Sequence, residues 1–208
     1  MKRIMFSCVC AVAAMVLMVS CGGDNATPKP RAYLRIDMPQ HAYTVYDTAA
    51  LPFTFECSKD AVVEWKEAVY VDTNGNRLNA RRGEKWFDIV YPKYRGFVFL
   101  TYKPIRGLED LRGQVDTAYQ YSETHFDHST GMDENKFVDA AHRLYGTTYH
   151  LKGQNVASTY QFWLTDSSSH FLRGSFIVNC TPNNDSLAPV LDFIQADIDH
   201  IIESIRWR

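Results

Sequence analysis

The alternation of apolar and polar residues is clearest over residues 156–180, where it predicts two strands of a hairpin. The alternate positions from Val156 to Leu164 are mostly apolar and their neighbours mostly polar, a period of two that is typical of a strand covered better on one side. The segment 166–169 is polar and turn-prone, and the alternation resumes from Leu172 to Cys180. We therefore predict an antiparallel hairpin with one face directed toward an apolar core.

The period changes after the hairpin and predicts a long amphipathic helix. Its apolar residues recur at spacings of three and four, which places them on one face: Leu187, Val190, Leu191, Ile194, Ile198, Ile201, Ile202 and Ile205. Ser186 is a suitable N-cap residue, and Pro189 is expected in the first turn, where its missing N–H does no harm. Because this stripe must lie on an apolar surface, we expect it on the better-covered face of the hairpin.

The other patterns predict a sheet and a second helix. Residues 86–91 and 96–102 are apolar at nearly every position, which is typical of strands buried on both sides, so we predict them in the middle of the sheet. Further elements are expected as strands at 33–39, 53–57, 137–138 and 143–151, a helix at 108–126, an exposed loop at 72–83, and either a short helix or a strand at 62–71. These elements predict a single α+β domain, residues 32–208, with a mostly antiparallel sheet and helices packed on both faces.

The N-terminal residues have the pattern of a bacterial lipoprotein signal. Lys2-Arg3 precedes an apolar run over residues 4–19, which is shorter than the roughly 20 residues that a spanning helix needs. A small residue before Cys21 resembles the lipobox, in which the cysteine is diacylated and becomes the new N-terminus. We therefore predict a signal peptide over residues 1–20, a lipid on Cys21, and an anchor and tether over residues 21–31. The alternatives are a plain signal peptide or a short membrane anchor with an incidental cysteine.

Cleavage before Cys21 would leave Cys57 and Cys180 as the remaining thiols, in an oxidising compartment. They could form a disulfide, or both could be buried, unpaired and act as small hydrophobic residues, and the sequence leaves both alternatives open. The formal net charge of −2 comes without a basic patch, which argues against a nucleic-acid partner.

A search for catalytic motifs predicts that the protein is not an enzyme and needs no cofactor. The sequence contains no nucleophile elbow, phosphate-binding glycine loop, zinc-protease helix or paired CxxC motif. His125, Asp127 and His128 could ligate a metal, but we expect them on a solvated helix end and predict no metal site. The segment Asp166–His170 contains serine, histidine and aspartate, which turn chemistry explains more simply than a catalytic triad.

The second face of the hairpin carries Trp163, Phe171 and Arg173, and two interpretations of it stay open. The helix at 108–126 could cover these side chains, or they could form a partly exposed aromatic–arginine surface of the composition found at protein interfaces. A different functional hypothesis uses Trp163 and nearby aromatic residues as the platform of a small-ligand or sugar-binding lipoprotein.

Six segments stand out in order along the chain: Thr27-Pro28-Lys29-Pro30-Arg31, Tyr33-Leu34-Arg35, Leu100-Thr101-Tyr102-Lys103-Pro104, the stretch from Tyr160 to Ser167, His170-Phe171-Leu172-Arg173-Gly174-Ser175, and Ile202-Glu203-Ser204-Ile205-Arg206-Trp207. Together they resemble the gliding-motility lipoprotein GldD family of Bacteroidetes. The order of elements is also similar to that of the photosystem PsbP-like fold, as an analogy of fold alone.

The resemblance to GldD implies a non-enzymatic lipoprotein with the lipid on Cys21. Its implied partners are proteins of the envelope motility apparatus linked to type IX secretion. The protein is expected to face the periplasm, anchored by its lipid in the outer membrane.

Overall fold

The structure is a computed structural model that describes residues 36–71, 73–126 and 129–208, and these described residues belong to one compact unit. The strands are β1 (Tyr43–Tyr46), β2 (Phe53–Ser58), β3 (Val62–Lys66), β4 (Val69–Val71), β5 (Arg77–Asn79), β6 (Lys85–Tyr91), β7 (Gly96–Pro104), β8 (Gly131–Asp139), β9 (Leu144–Lys152), β10 (Tyr160–Thr165), β11 (His170–Val178) and β12 (Arg206–Trp207). The helices are α1 (Gly107–Glu123) and α2 (Asn184–Ser204), with a 3-10 turn at Ala140–His142.

A seven-stranded sheet dominates the fold. Its order is β3-β6-β7-β11-β10-β9-β8, and every neighbouring pair is antiparallel. A three-stranded antiparallel sheet has the order β1-β2-β12, and β4 pairs with β5. The prediction of a mostly antiparallel sheet is confirmed, as is the β10–β11 hairpin, which pairs Tyr160 with Phe176 and Thr165 with Phe171.

The larger hydrophobic core lies on the face of the sheet that includes Phe162 and Leu164 of β10. The apolar stripe of α2 belongs to the same cluster, so the predicted packing of this helix on the better-covered face of the hairpin is confirmed. Phe53 and Phe55 of β2 complete the cluster, and α2 contacts β2 directly. Because each fully buried isoleucine contributes about 1.5–3 kcal/mol, this stripe is a large part of what holds the sheets together.

A smaller cluster lies around Trp163 and Phe171, whose positions in β10 and β11 alternate with those of the larger core. These two side chains pack with Ile105 and with three residues of α1: Leu111, Val115 and Ala118. In α1 itself only Ala118 and Ser122 are buried, so this helix contacts the sheet along a narrow stripe.

Some predictions about the elements were wrong. The predicted strand at 33–39 is not found in its described part, residues 36–39. The first strand among the described residues is β1, in a stretch for which no strand was predicted. The predicted exposed loop at 72–83 contains β5, which pairs with β4 through a turn at Gly75. The brief strand expected at 137–138 is the nine-residue edge strand β8.

The predicted centre of the sheet needs correction as well. The central strand is β11, while β6 is second from one edge, next to β3. Phe99 on β7 is 43% exposed, so β7 is not buried on both sides. The apolar character of β7 therefore overstates how much of the strand is covered.

The start of α2 also differs from its prediction. The N-cap position is occupied by Asn183 rather than Ser186, and Asn183 makes no side-chain capping hydrogen bond. Because the helix begins at Asn184, Pro189 lies inside the helix and not in its first turn.

Candidate functional site

The predicted surface of Trp163, Phe171 and Arg173 is largely covered by α1. Phe171 is only 2% exposed, and its ring stacks on Trp163 with the centroids 6.1 Å apart. Arg173 lies beneath α1, with its guanidinium carbon 4.7 Å from the centroid of the Tyr121 ring. Of the two interpretations left open by the sequence, the structure therefore favours coverage by this helix, although Trp163 and Arg173 remain half-buried and line cavities.

A cavity of about 250 Å³ lies between α1 and the strands beside Arg173. Its lining combines aromatic rings, two cationic side chains and several neutral polar groups: Tyr70, Trp86, Thr101, Lys103, Gln114, Thr117, Ala118, Tyr121, Phe171 and Arg173. The sheet register explains this composition, because Trp86, Thr101 and Arg173 stand side by side on neighbouring strands. Antiparallel pairing thus brings together residues from distant parts of the sequence.

Arg173 is held from two sides in this cavity. Its Nη2 donates a hydrogen bond to Oε1 of Gln161 at 2.7 Å, and its guanidinium stacks on Tyr121. Within the described part of the chain, no carboxylate lies within 4 Å of the Arg173 guanidinium. Burial without a counter-ion disfavours the charged form and lowers the pKa of Arg173.

Lys103 brings a second cation to the cavity, near a carboxylate that already has other donors. Glu84 accepts hydrogen bonds from the Tyr70 hydroxyl at 2.5 Å and from the indole Nε1 of Trp86 at 2.8 Å. Lys103 Nζ lies 3.9 Å from the same carboxylate oxygen and 5.7 Å from the centroid of the Tyr70 ring. Burial lowers the pKa of Lys103, and the neighbouring Glu84 charge partly opposes this effect.

Trp163 lines a different and more open cavity, of about 390 Å³, on the other side of α1. Its indole Nε1 donates to the Tyr149 hydroxyl at 3.3 Å, and Tyr119 of α1 lies nearby. The aromatic platform proposed for a sugar is therefore divided, with Trp163 in one cavity and Tyr70, Trp86 and Tyr121 in the other.

The turn after β10 forms a network around Asp166. Its Oδ1 accepts from the backbone N–H groups of Ser168, Ser169 and His170 at 3.0, 2.8 and 2.8 Å, and its Oδ2 accepts from the Ser168 hydroxyl at 2.6 Å. Burial opposes ionisation, but these hydrogen bonds outweigh it and hold the pKa of Asp166 well below its usual range. The His170 ring contacts the Tyr102 hydroxyl, 2.9 Å away, instead of a serine. The prediction of turn chemistry is confirmed.

Of the histidine cluster at 125–128, Asp127 and His128 lie outside the described residues, and no group of metal-ligating side chains occurs among those described. Sequence reasoning missed a different polar contact, in which Nδ1 of His41 lies 2.7 Å from Oδ1 of Asp197. Asp197 is completely buried in α2. It lies three residues after Ile194 in the apolar stripe, a position from which its burial could have been predicted.

Cys57 and Cys180 are both free thiols in the structure, and only Cys57 is buried, so the alternative of two buried cysteines is wrong for Cys180. Cys57 is 4% exposed and belongs to the core cluster, whereas Cys180 is exposed at the end of the hairpin. Burial is the main reason for the rise in the pKa of the Cys57 thiol to about 11. The predicted lipid site, Cys21, and the tether at 21–31 lie outside the described residues.

Neither helix in the part of the chain that the structure describes combines the length and apolar composition needed to cross a membrane. A comparison with curated proteins finds no match. The chain is similar to the solution structure of cyanobacterial PsbP (CyanoP) from Synechocystis sp. PCC 6803, with 14% identity and a TM-score of 0.47 over 84% of this chain and 98% of that one. The family model for the gliding motility lipoprotein GldD matches residues 23–207. That match spans most of the sequence, and the chain therefore belongs to the gliding motility lipoprotein GldD family.

Proposed function

We propose that the protein is a non-enzymatic, lipid-anchored component of the gliding motility machinery, acting with the envelope proteins of type IX secretion. In this proposal the lipid is on Cys21, the anchor is in the outer membrane, and the folded domain faces the periplasm. The observation that carries the proposal is the family match over residues 23–207, which begins two residues after Cys21.

The hydrogen bonds of the turn at Asp166–His170 support the non-enzymatic part of the proposal. A catalytic triad needs a histidine between its carboxylate and its serine. Here Asp166 instead binds backbone N–H groups and the Ser168 hydroxyl directly, and His170 contacts Tyr102. Asp166 therefore stabilises the β10–β11 turn, and its oxygens are already occupied.

We further propose that the two helices serve as covering layers on opposite faces of the large sheet, which would leave strand edges and loops for protein contacts. The support is the alternation along β10. Phe162 and Leu164 share a cluster with α2, whereas Trp163 between them shares a cluster with α1. An interaction module needs this kind of stable frame more than it needs a deep active-site cleft.

A crosslinked pull-down of the tagged, full-length lipoprotein from detergent-solubilised envelopes tests the proposal. We expect gliding and type IX secretion subunits to copurify with the wild type but not with Cys21→Ala. Cys180→Ala is the matched control, because it removes an exposed cysteine outside the lipobox and should leave copurification unchanged.

A gene deletion provides the second arm of the test. We expect the deletion to abolish gliding and to reduce secretion, and wild type or Cys180→Ala, but not Cys21→Ala, to restore both. A deletion strain that glides and secretes normally would contradict the proposal, as would full complementation by Cys21→Ala.

A further inference from the structure

The cavity beside Arg173 contains more positive charge than the structure neutralises. Arg173 is half-buried beneath α1, and no carboxylate of the described residues lies within 4 Å of its guanidinium. A buried charge is costly unless it is paired or fully hydrogen-bonded. One N–H group of the guanidinium donates to Gln161, and the remaining N–H groups can donate to a ligand in the cavity.

Lys103 adds to the positive charge of the cavity. Glu84, the carboxylate nearest to it, already accepts from the Tyr70 hydroxyl and the Trp86 indole, and its second oxygen accepts from the backbone N–H of Arg81 at 3.3 Å. The 3.9 Å separation between Lys103 Nζ and Glu84 is too long for a direct hydrogen bond. Arg81 and Asp110 also act on Lys103, but they pair with each other at 3.1 Å. Arg173 and Lys103 therefore have only Glu84 to balance them, which leaves one positive charge uncompensated.

The rest of the lining suits the body of an organic molecule. Tyr70, Trp86, Tyr121 and Phe171 present aromatic surface, and Gln114 is among the groups that can hydrogen-bond to a ligand. A volume of about 250 Å³ corresponds to roughly eight water molecules at about 30 Å³ each. The cavity is therefore large enough for a single small ring bearing an acidic group.

We propose that this cavity binds a small organic carboxylate, whose acidic group pairs with Arg173 and Lys103 and whose ring packs against Tyr70, Trp86 and Tyr121. A carboxylate matches the geometry of a guanidinium fork, because two parallel N–H···O bonds can form at once. Such an anion would supply the counter-charge that the protein itself does not, and would return the pKa of both cations toward their ordinary values. This inference does not depend on the proposed role in motility.

Calorimetric titration of the full-length lipoprotein, purified in detergent, tests the site with a matched pair of probes. Benzoate is a small ring with a carboxylate, and benzamide has nearly the same shape without the charge. We expect benzoate to bind with 1:1 stoichiometry and about 10- to 100-fold more tightly than benzamide, because hydrogen bonds to charged groups are the stronger ones. Inorganic phosphate, which has no ring, should bind more weakly than benzoate.

Three variants test whether benzoate binds in the cavity beside Arg173. Arg173→Gln should weaken benzoate binding by about 10- to 100-fold. Thr117→Phe keeps Arg173 but places a ring in the cavity, and it should abolish binding even if Arg173→Gln folds poorly. Arg112→Gln is the control, because Arg112 is an exposed arginine of the same helix that does not line the cavity. Equal binding of benzoate and benzamide, no benzoate binding, or unchanged binding by Thr117→Phe would overturn the proposal.

Discussion

The turn at Asp166 allows a quantitative prediction about stability. Its Oδ1 accepts three backbone N–H groups at 2.8–3.0 Å, and the residue is only 6% exposed. Hydrogen bonds to a charged group contribute about 1.5–3 kcal/mol each, but water can replace part of this in a surface turn. We therefore expect Asp166→Ala to lower the free energy of unfolding by about 3 kcal/mol, which is less than the summed contribution of the three hydrogen bonds. Asp166→Asn keeps an accepting oxygen and should cost about 1 kcal/mol.

The direction of the pKa shift of Asp166 determines how this stabilisation depends on pH. An aspartate in an unfolded chain has a pKa of about 3.9, whereas the hydrogen bonds in the folded protein hold the pKa of Asp166 well below that value. The stabilisation is therefore complete above about pH 5 and is lost as the pH falls toward the folded pKa. Between pH 5 and pH 3 the wild type should lose about 0.5–1 kcal/mol more than Asp166→Asn, after allowance for solvent screening.

Urea denaturation followed by circular dichroism at pH 7, 5 and 3 measures both effects on the purified chain. Asp133→Asn is the control, because the Asp133 carboxylate pairs with Lys152 at 2.7 Å on the exposed edge of the sheet. Such exposed pairs contribute about 0–1 kcal/mol. If Asp166→Asn and the wild type lost stability in parallel from pH 5 to pH 3, or if Asp166→Ala were as stable as Asp133→Asn, the assignment of the turn network would be wrong.

Two further predictions concern packing and thiol chemistry. A Cβ on Gly174 would overlap the ring of Phe162, so Gly174→Ala should lower the free energy of unfolding by about 1–3 kcal/mol. A Cβ on Gly113 of α1 meets nothing within 4 Å. Gly113→Ala should therefore stabilise the protein by about 0.5–1 kcal/mol in the same urea assay. If the two substitutions changed the free energy of unfolding equally, the packing of Phe162 against Gly174 would be contradicted. An iodoacetamide pulse with peptide mapping should label Cys180 at least about 100-fold faster than Cys57, since only the thiolate reacts, and a disulfide-linked peptide would refute this.

The elements predicted correctly are those whose pattern is set by burial. The hairpin β10–β11 and the stripe of α2 line the larger core, so apolar residues recur in them with the period of each structure. β8 gave no such pattern, because it is an edge strand whose exposed positions are occupied by Asp133, Glu134 and Lys136. Charged side chains on an edge strand discourage pairing with other molecules, and the same charges hide the strand from a search for apolar alternation.

The cavity beside Arg173 could not be predicted as a unit, because its lining comes from β4, β6, β7, α1 and β11. The sequence did indicate that Trp163, Phe171 and Arg173 share one face of the hairpin, and it offered α1 as their cover. It could not show that Trp163 and Arg173 line different cavities on either side of that helix. That division depends on how α1 crosses the sheet, and a helical period alone leaves the crossing undefined.

Asp197 shows how far a local pattern can specify a distant contact. It lies three residues after Ile194 and four before Ile201, so helical geometry places its carboxylate in the apolar stripe of α2. A carboxylate in that position needs a partner, since an unpaired buried charge is costly. The pattern therefore requires a partner but cannot identify it, and the structure supplies His41, 156 residues earlier in the chain. Because residues 36–42 form no helix or strand, this contact is one of the means by which the segment before β1 is held on α2.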